Sequence, residues 1–113
     1  MPQEVELKRF RYKGEIITVR LEFPELTWLC PKQGYPDFAT FKMEYTPGDY
    51  VIELKSLKLW LTSYRNVGIG YEKLSSELFE ELWKLLNPRW MKVSLDINPR
   101  GNLKAVVTME RGR

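Results

Sequence analysis

The sequence has no histidine and only one cysteine, Cys30, among its 113 residues. A single cysteine cannot form a disulfide within the chain, and without histidine the common ligand sets of a zinc site are excluded. No apolar run approaches the roughly 20 residues needed to cross a membrane, and the first residues do not resemble a signal peptide. We therefore expect a cytoplasmic protein that holds no metal.

Composition and length are those of one soluble domain. Hydrophobic residues make up 43% of the chain and charged residues 29%, and we expect a single domain over 1–113 with 1–14 as a partly irregular lead-in. The net charge of +3 suits a phosphate-bearing ligand or RNA, but it also fits an ordinary basic protein. Basic and aromatic residues alternate over 8–13, as on nucleic-acid surfaces, although a solvated edge before a strand explains such a segment more often.

Cys30 begins a segment that contains Pro31, Gly34 and Pro36 and ends in Asp37. Proline and glycine at these positions predict a loop with restricted freedom, able to hold a thiol and a carboxyl in a fixed relation. A thiol is mostly protonated at neutral pH, so a nucleophilic cysteine needs a group that takes its proton. Without histidine, Asp37 and Glu72 are the candidates for that group. The alternative is that Cys30 is a small buried hydrophobic residue, as a lone cysteine more often is.

The hydrophobic pattern predicts four strands around two helices, in the order ββααββ. Clean alternation over 15–23, which Pro24 ends, indicates a half-buried strand, and 25–36 then forms the cysteine loop. The remaining elements are a strand over 38–45, a turn or bulge at Pro47-Gly48 before 50–53, helices over 56–66 and 75–86 with Ser75 or Ser76 as N-cap, and strands over 91–97 and 103–109 joined by a turn at 98–102. This order predicts an α+β layer with both helices on one face of an antiparallel sheet.

The second face of such a sheet stays uncovered, and it carries charged and β-branched residues. An open sheet also has two unpaired edges, and closure with further copies of the chain into a barrel removes both problems. We therefore expect a ring-shaped homo-oligomer.

A second polar group lies at the start of the first predicted helix. Glu53 is followed by Lys55 and Lys58, one turn apart, and lysines beside a helix N-terminus suit an anion. Taken alone, this signal is weak, because surface lysines are usually only solvated.

The string Glu-Leu-Lys-Ser-Leu-Lys-Leu-Trp at 53–60 resembles the signature of the NADPH-dependent 7-cyano-7-deazaguanine reductases, the QueF family. The segments 29–39, 63–66 and 98–101 also resemble family features, and the similarity covers 15–110 in one register. It implies a tunnelling fold (T-fold), whose subunits form pentameric rings that can stack into a decamer, with active sites between subunits. It also implies reduction of a nitrile to a primary amine in queuosine biosynthesis, with two NADPH per turnover.

The resemblance implies a role for each residue that matches the family's motifs. Cys30 adds to the nitrile carbon of the deazapurine and forms a covalent thioimide, and Asp37 supplies protons, which requires a carboxyl that is protonated near neutral pH. The resemblance also implies that Glu72 and Tyr71 hold the deazaguanine, in a pocket lined by Ile52, Glu53 and Leu54. It implies that the NADPH phosphates contact Lys55, Lys58 and Arg100.

Tyr71 departs from the family, which usually has histidine at this position. A phenol, with a pKa near 10, donates a hydrogen bond but shuttles protons poorly at neutral pH. The rival function is therefore the QueF-like amidinotransferase of archaeosine-tRNA synthesis, which forms a similar thioimide on tRNA and then admits ammonia. A non-catalytic purine-binding T-fold protein is a further alternative, and a zinc-dependent cyclohydrolase is disfavoured by the lack of histidine.

Overall fold

The computed structural model describes residues 5–112, and within that range it contains six strands, two α-helices and one 3₁₀ helix. In chain order these are β1 (Arg9–Arg11), β2 (Val19–Leu29), β3 (Pro36–Thr46), β4 (Tyr50–Ile52), α1 (Leu54–Thr62), the 3₁₀ helix (Ser63–Asn66), α2 (Tyr71–Leu86), β5 (Trp90–Arg100) and β6 (Leu103–Gly112). The long strands form one antiparallel sheet in the order β2-β3-β5-β6, and β1 pairs with β4 in a separate ribbon.

The core lies between the sheet and the two helices. Alternate residues of β3 and β5 are buried, which is the pattern that the sequence predicts for half-buried strands. α2 supplies a stripe of leucines at intervals of four, Leu74, Leu78, Leu82 and Leu86, all at 0% exposure. The predicted α+β class is confirmed. Neither α-helix of the described chain has the length and apolar character that a membrane span requires.

The other face of the sheet is open in the subunit and carries cross-strand ion pairs. Arg20 on β2 meets Glu44 on β3 at 3.2 Å, and Lys42 meets Asp96 on β5 at 3.8 Å. These pairs are exposed and contribute little to stability. The face is polar enough to remain hydrated in one chain, yet it is continuous with two strand edges, β2 and β6.

The first long strand does not stop at Pro24, which corrects the prediction. β2 continues to Leu29, and its register against β3 shifts between Phe23 and Leu26. Proline is tolerated here because β2 is an edge strand and the residue lies at a bulge, where the sheet does not need a hydrogen bond from its missing N–H. As a result the cysteine loop is shorter than expected, spanning only 30–35.

Both helices begin earlier than predicted. α2 starts at Tyr71 with Gly70 as its N-cap, and Ser75 lies inside the helix with its hydroxyl donating to the Tyr71 carbonyl at 2.7 Å. The serines suggested a cap, but a hydroxyl within a helix can bond the preceding turn instead. α1 starts at Leu54 and is capped by Glu53, and the predicted end of this helix is the 3₁₀ segment.

The last hairpin is tighter than the predicted turn. β5 extends to Arg100, and only Gly101 and Asn102 form the loop, with φ values of +57° and +70°. Two central residues with positive φ match the twist of the flanking strands, and glycine and asparagine adopt this conformation readily. The register between β5 and β6 shifts between Ile97 and Arg100.

The N-terminal segment is fastened to the helices. The Glu53 N–H donates to the Lys8 carbonyl at 2.9 Å, and the Lys8 N–H donates to the Ser56 hydroxyl at 3.0 Å. The Arg9 guanidinium donates to the Leu85 carbonyl at 2.7 Å and lies 3.7 Å from the centre of the Tyr50 ring. The basic and aromatic residues of this segment therefore make contacts within the chain, and part of the lead-in is the strand β1.

Tyr64 joins the 3₁₀ helix to α2, because its buried hydroxyl donates to the Glu77 carboxylate. Burial, and then this hydrogen bond, raise the pKa of Tyr64 above its ordinary value. A raised folded-state pKa contributes stability that is present below about pH 10 and is lost as the pH rises further. We expect Tyr64→Phe to lower the free energy of unfolding by about 1–3 kcal/mol at neutral pH, and the difference from the original chain to shrink at strongly alkaline pH.

Urea unfolding at neutral and at alkaline pH measures both effects, with the exposed Tyr35→Phe as the control. A difference that stays constant with pH would show that Tyr64 does not titrate differently in the folded and unfolded chains.

Candidate active site

Cys30 lies directly after β2, in the short loop that joins β2 to β3. Its N–H donates to the Tyr35 carbonyl at 2.8 Å, and its carbonyl accepts the Gly34 N–H at 2.8 Å. Gly34 has a φ of +73°, a conformation that favours glycine, so the loop can close tightly. Cys30 itself is half-buried. The thiol is therefore not packed inside the core, and a ligand can reach the loop that carries it.

Asp37 lies on the neighbouring strand, close to Cys30 by register. Asp37 pairs with Trp28, and the hydrogen bond between Cys30 and Tyr35 continues the same register by two residues. Cys30 and Asp37 are therefore diagonal neighbours across two antiparallel strands, a spacing within reach of side-chain contact. Asp37 shares the helix-covered face with the buried residues Trp28 and Ala39, and its side chain is 22% exposed.

Arg100 makes the closest contact with Asp37 that the structure shows. The Nε atom of Arg100 lies 2.8 Å from Oδ1 of Asp37, and its Nη2 atom donates to the carbonyl of Pro36. Cys30, Asp37 and Arg100 thus come together where the β2–β3 loop meets the β5–β6 hairpin. The family resemblance implies that Arg100 contacts the cofactor, and the pair with Asp37 is not expected from it. Alternation along β5 gives no signal for this pair, because it places Arg100 on the face opposite the buried residues Met91, Val93, Leu95 and Ile97.

Tyr71 and Glu72 lie at the same end of the sheet. The Leu29 N–H donates to the Val67 carbonyl at 2.9 Å, and the Ile69 N–H donates to the Leu29 carbonyl at 3.1 Å, so the link before α2 is bonded to the residue before Cys30. Glu72 follows three residues later in the first turn of α2 and is exposed. Among the described residues, no hydrogen bond or ion pair joins Glu72 to Cys30 or Asp37, so its carboxylate is open to a ligand.

Glu53 has a definite role within the chain as the N-cap of α1. Its carboxylate accepts the N–H of Lys55 at 2.7 Å and the N–H of Ser56 at 2.9 Å. The hydrogen bond from Lys55 is the main reason that the pKa of Glu53 is lowered. The anion expected at this helix N-terminus is thus the chain's own carboxylate. A carboxylate has further lone pairs, which stay available to a ligand.

The neighbours of Glu53 face different surroundings. Ile52 is 5% exposed, and its N–H donates to the Tyr45 hydroxyl at 3.0 Å, whereas Leu54 is 59% exposed. Lys55 and Lys58 are exposed, and neither forms an ion pair within residues 5–112. Lys58 borders a mostly apolar groove of about 380 Å³ between α1 and β2, which also carries two carboxylates and is lined by Leu21, Glu22, Phe23, Glu25, Phe41, Leu54, Leu57 and Leu61.

The predicted site residues form two groups within one chain. Asp37 is the second residue of β3, and Tyr45, whose hydroxyl accepts the Ile52 N–H, lies eight residues later near the end of the same strand. At about 3.3 Å per residue, Asp37 and Tyr45 are roughly 26 Å apart along the strand. Ile52, the residue before Glu53, therefore contacts the end of β3 opposite Asp37.

No group of three or more histidine, cysteine, aspartate or glutamate side chains within residues 5–112 is arranged to hold a metal ion. The chemistry at hand is that of a reachable thiol, a carboxylate beside it and exposed cationic groups. The fold and these groups define an α+β protein with a cysteine–aspartate site and no metal cluster in the part described.

Comparison with known proteins identifies the family. The model of the QueF-like protein family matches residues 36–113, and the chain belongs to this family. It is 51% identical over 89 residues to the NADPH-dependent 7-cyano-7-deazaguanine reductase of Aquifex aeolicus, covering 79% of this chain and 69% of that protein. It is 42% identical over 92 residues to the reductase of the same name from Nitratiruptor, covering 81% and 70%.

A solved structure supports the fold. The crystal structure of the archaeosine synthase QueF-Like in its apo form superposes with a TM-score of 0.79 at 27% sequence identity, covering 89% of this chain and 98% of that one. The resemblance drawn from the sequence motifs is confirmed.

Proposed function

We propose that this protein is an NADPH-dependent 7-cyano-7-deazaguanine reductase, which converts a nitrile to a primary amine in queuosine biosynthesis. The proposal rests on curated reductases that share up to 51% identity with the chain. The observation that carries it is the half-buried Cys30 held diagonally from Asp37. The amidinotransferase alternative is not favoured, because the archaeosine synthase shares only 27% identity.

Cys30 is the nucleophile of the proposed reaction. Its sulfur adds to the nitrile carbon: the S–H bond and one C≡N π bond break, a C–S bond forms, and the thiol proton passes through the Asp37 carboxylate to the nitrile nitrogen. The product is a covalent thioimide, which accepts a hydride more readily than a nitrile does. The loop hydrogen bonds from Cys30 to Tyr35 and from Gly34 to Cys30 fix the backbone from which the thiol approaches.

Asp37 is the proton donor. We assign it this role because it lies diagonal to Cys30 across two strands, within reach of a group bonded to the sulfur. The later reduction steps also add protons to this nitrogen, so one carboxyl can serve each of them. Tyr71 donates a hydrogen bond to the substrate.

The substrate is held by groups from both ends of the sheet. Glu72, an exposed carboxylate, accepts hydrogen bonds from the ring N–H and the exocyclic amine of the deazaguanine. The pocket is completed by the segment Ile52, Glu53 and Leu54. Because Ile52 contacts the end of β3 opposite Asp37, we assign the two groups to adjacent subunits of a homo-oligomer.

The residues proposed for the cofactor have the chemistry that its phosphates need. Lys55 and Lys58 are exposed cations one helical turn apart without ion pairs in residues 5–112, and Lys58 borders the apolar groove on β2. An ammonium group binds phosphate as a point charge. NADPH, when bound, supplies the hydrides, two for each nitrile converted to an amine.

The oligomer is proposed as pentameric rings that can stack into a decamer. It is supported by the open polar face and by the two unpaired strands at the edges of the sheet, β2 and β6. Closure of several sheets into one barrel pairs those edges. Sedimentation velocity measures the size directly. The cytoplasmic location stays a prediction.

Replacement of Lys55 or Lys58 by alanine is expected to raise the KM for NADPH roughly tenfold per lysine, because each change removes one charge-assisted contact with a phosphate. The rate of thioimide formation without NADPH stays unchanged. Steady-state kinetics and intact-protein mass spectrometry measure the two effects, with the exposed Lys13→Ala as the control. Loss of the covalent adduct in either variant would remove these lysines from the cofactor site.

The test of the proposed function is NADPH oxidation that depends on 7-cyano-7-deazaguanine. We expect two NADPH consumed for each amine formed. Purified protein that consumes no NADPH with this nitrile contradicts the proposal.

A further inference from the structure

We propose that Arg100 is a positioning residue for Asp37, which it holds in place beside Cys30. This inference rests on the proposed function, because it gives Asp37 the role of proton donor. It changes the role that the family resemblance implies for Arg100, namely contact with the phosphates of NADPH.

The contacts of Arg100 are directed at the start of β3. Nε is 2.8 Å from Oδ1 of Asp37, and Nη2 donates to the carbonyl of Pro36, so one guanidinium bonds two consecutive residues. The edge formed by Nε and Nη2 is one of the two edges by which an arginine binds two oxygens of a carboxylate or a phosphate. In this structure that edge is occupied by the chain itself.

The hairpin that carries Arg100 supports a fixed position. Gly101 and Asn102 form a two-residue loop with positive φ, which ties the end of β5 closely to β6. The register shift between Ile97 and Arg100 breaks the regular alternation immediately before the guanidinium. Irregularities of this kind often redirect a side chain. Here the redirected side chain reaches across to β3.

The ion pair between Asp37 and Arg100 is partly exposed to solvent. The Asp37 side chain is 22% exposed and that of Arg100 is 50% exposed. A carboxylate held by a planar guanidinium has fewer orientations than a free one. An exposed ion pair contributes little to stability, so orientation of the proton donor is the larger consequence of this contact. The inference therefore concerns catalysis more than folding.

Thioimide formation without NADPH separates positioning from cofactor binding, because this step uses Cys30 and Asp37 and no cofactor. We expect Arg100→Met to slow adduct formation with 7-cyano-7-deazaguanine about tenfold or more, since small misplacements of a catalytic group are costly. Arg100→Lys keeps the charge and restores part of the rate. The KM for NADPH stays within about twofold in both variants. Lys13→Met is the matched control, because it removes an exposed cation that lies outside the proposed site, and it leaves adduct formation unchanged.

A double-mutant cycle tests whether Arg100 acts through Asp37. In an Asp37→Asn background, Arg100→Met is expected to cause no further slowing, because residues that act through one another are not additive. An equal slowing in both backgrounds overturns the inference. An unchanged adduct rate in Arg100→Met, together with a raised KM for NADPH, also overturns it and returns Arg100 to the cofactor.

Adduct formation by the original chain distinguishes a failure of the proposed function from a failure of the inference about Arg100. If it forms the adduct and Arg100→Met forms it equally fast, only the inference about Arg100 fails. If the original chain forms no adduct, the proposed function fails and the inference falls with it. Circular dichroism establishes that each variant is folded, and Arg100→Lys gives a second variant if Arg100→Met is not.

Discussion

Cys30→Ala is expected to abolish both adduct formation and NADPH oxidation with 7-cyano-7-deazaguanine. Removal of a catalytic nucleophile leaves only the effects of binding and orientation, so the expected loss of kcat is on the order of 10³-fold or more. The side chain is half-buried in a loop outside the core, so truncation should leave the fold intact. Absorbance of NADPH at saturating nitrile measures the loss.

Gln33→Ala is the matched control, because it changes an exposed residue of the same loop. It should keep both the adduct and the oxidation. Oxidation that persists in Cys30→Ala would show that reduction proceeds without a thioimide, and the proposed role of Cys30 would then be wrong.

Asp37→Asn is expected to slow turnover by roughly 10²–10³-fold. The amide has nearly the same shape as the carboxyl and still accepts from Arg100, but it does not deliver a proton to the nitrile nitrogen. The rate of adduct formation should fall along with kcat. The dissociation constant of the noncovalent complex with the nitrile should change little. Stopped-flow measurement of adduct formation and steady-state kinetics test these expectations.

Asp49→Asn is the control for loss of one exposed carboxylate at the far end of the sheet. Its rates should match those of the original chain. A normal adduct rate in Asp37→Asn would transfer the proton step to another group, with Glu72 as the next carboxylate to test.

The elements of the fold were largely predictable because their signals are local. Alternation along β3 and β5 and the leucine stripe of α2 specify half-buried strands and an amphipathic helix. The errors arose where a local signal was overridden by tertiary context. Pro24 marks a strand end in isolation, but an edge strand with a bulge accommodates it.

Helix starts were harder because several residues can serve as caps. Ser75 and Ser76 have the side chains of good N-caps, yet the helix begins at Tyr71 after Gly70. Glu53 provides the cap of α1 through two backbone N–H groups. Glycine caps by backbone conformation alone, so no side-chain signal identifies it.

The sequence indicates candidate site residues but not the contacts among them. Cys30 is the only thiol, and Asp37 follows it by seven positions, so their proximity could be argued from one loop. The ion pair between Arg100 and Asp37 depends on the register of β5 against β3, which joins residues far apart in the chain. Likewise, the distance between the Glu53 group and the Asp37 group follows only from how the strands run through the sheet.

The most direct test of the account is the mass of the intact protein after incubation with 7-cyano-7-deazaguanine in the absence of NADPH. We predict an increase equal to one nitrile molecule per chain, located on the peptide that contains Cys30 and reversed when NADPH is added. An unchanged mass, or a label located elsewhere, would contradict the proposed mechanism.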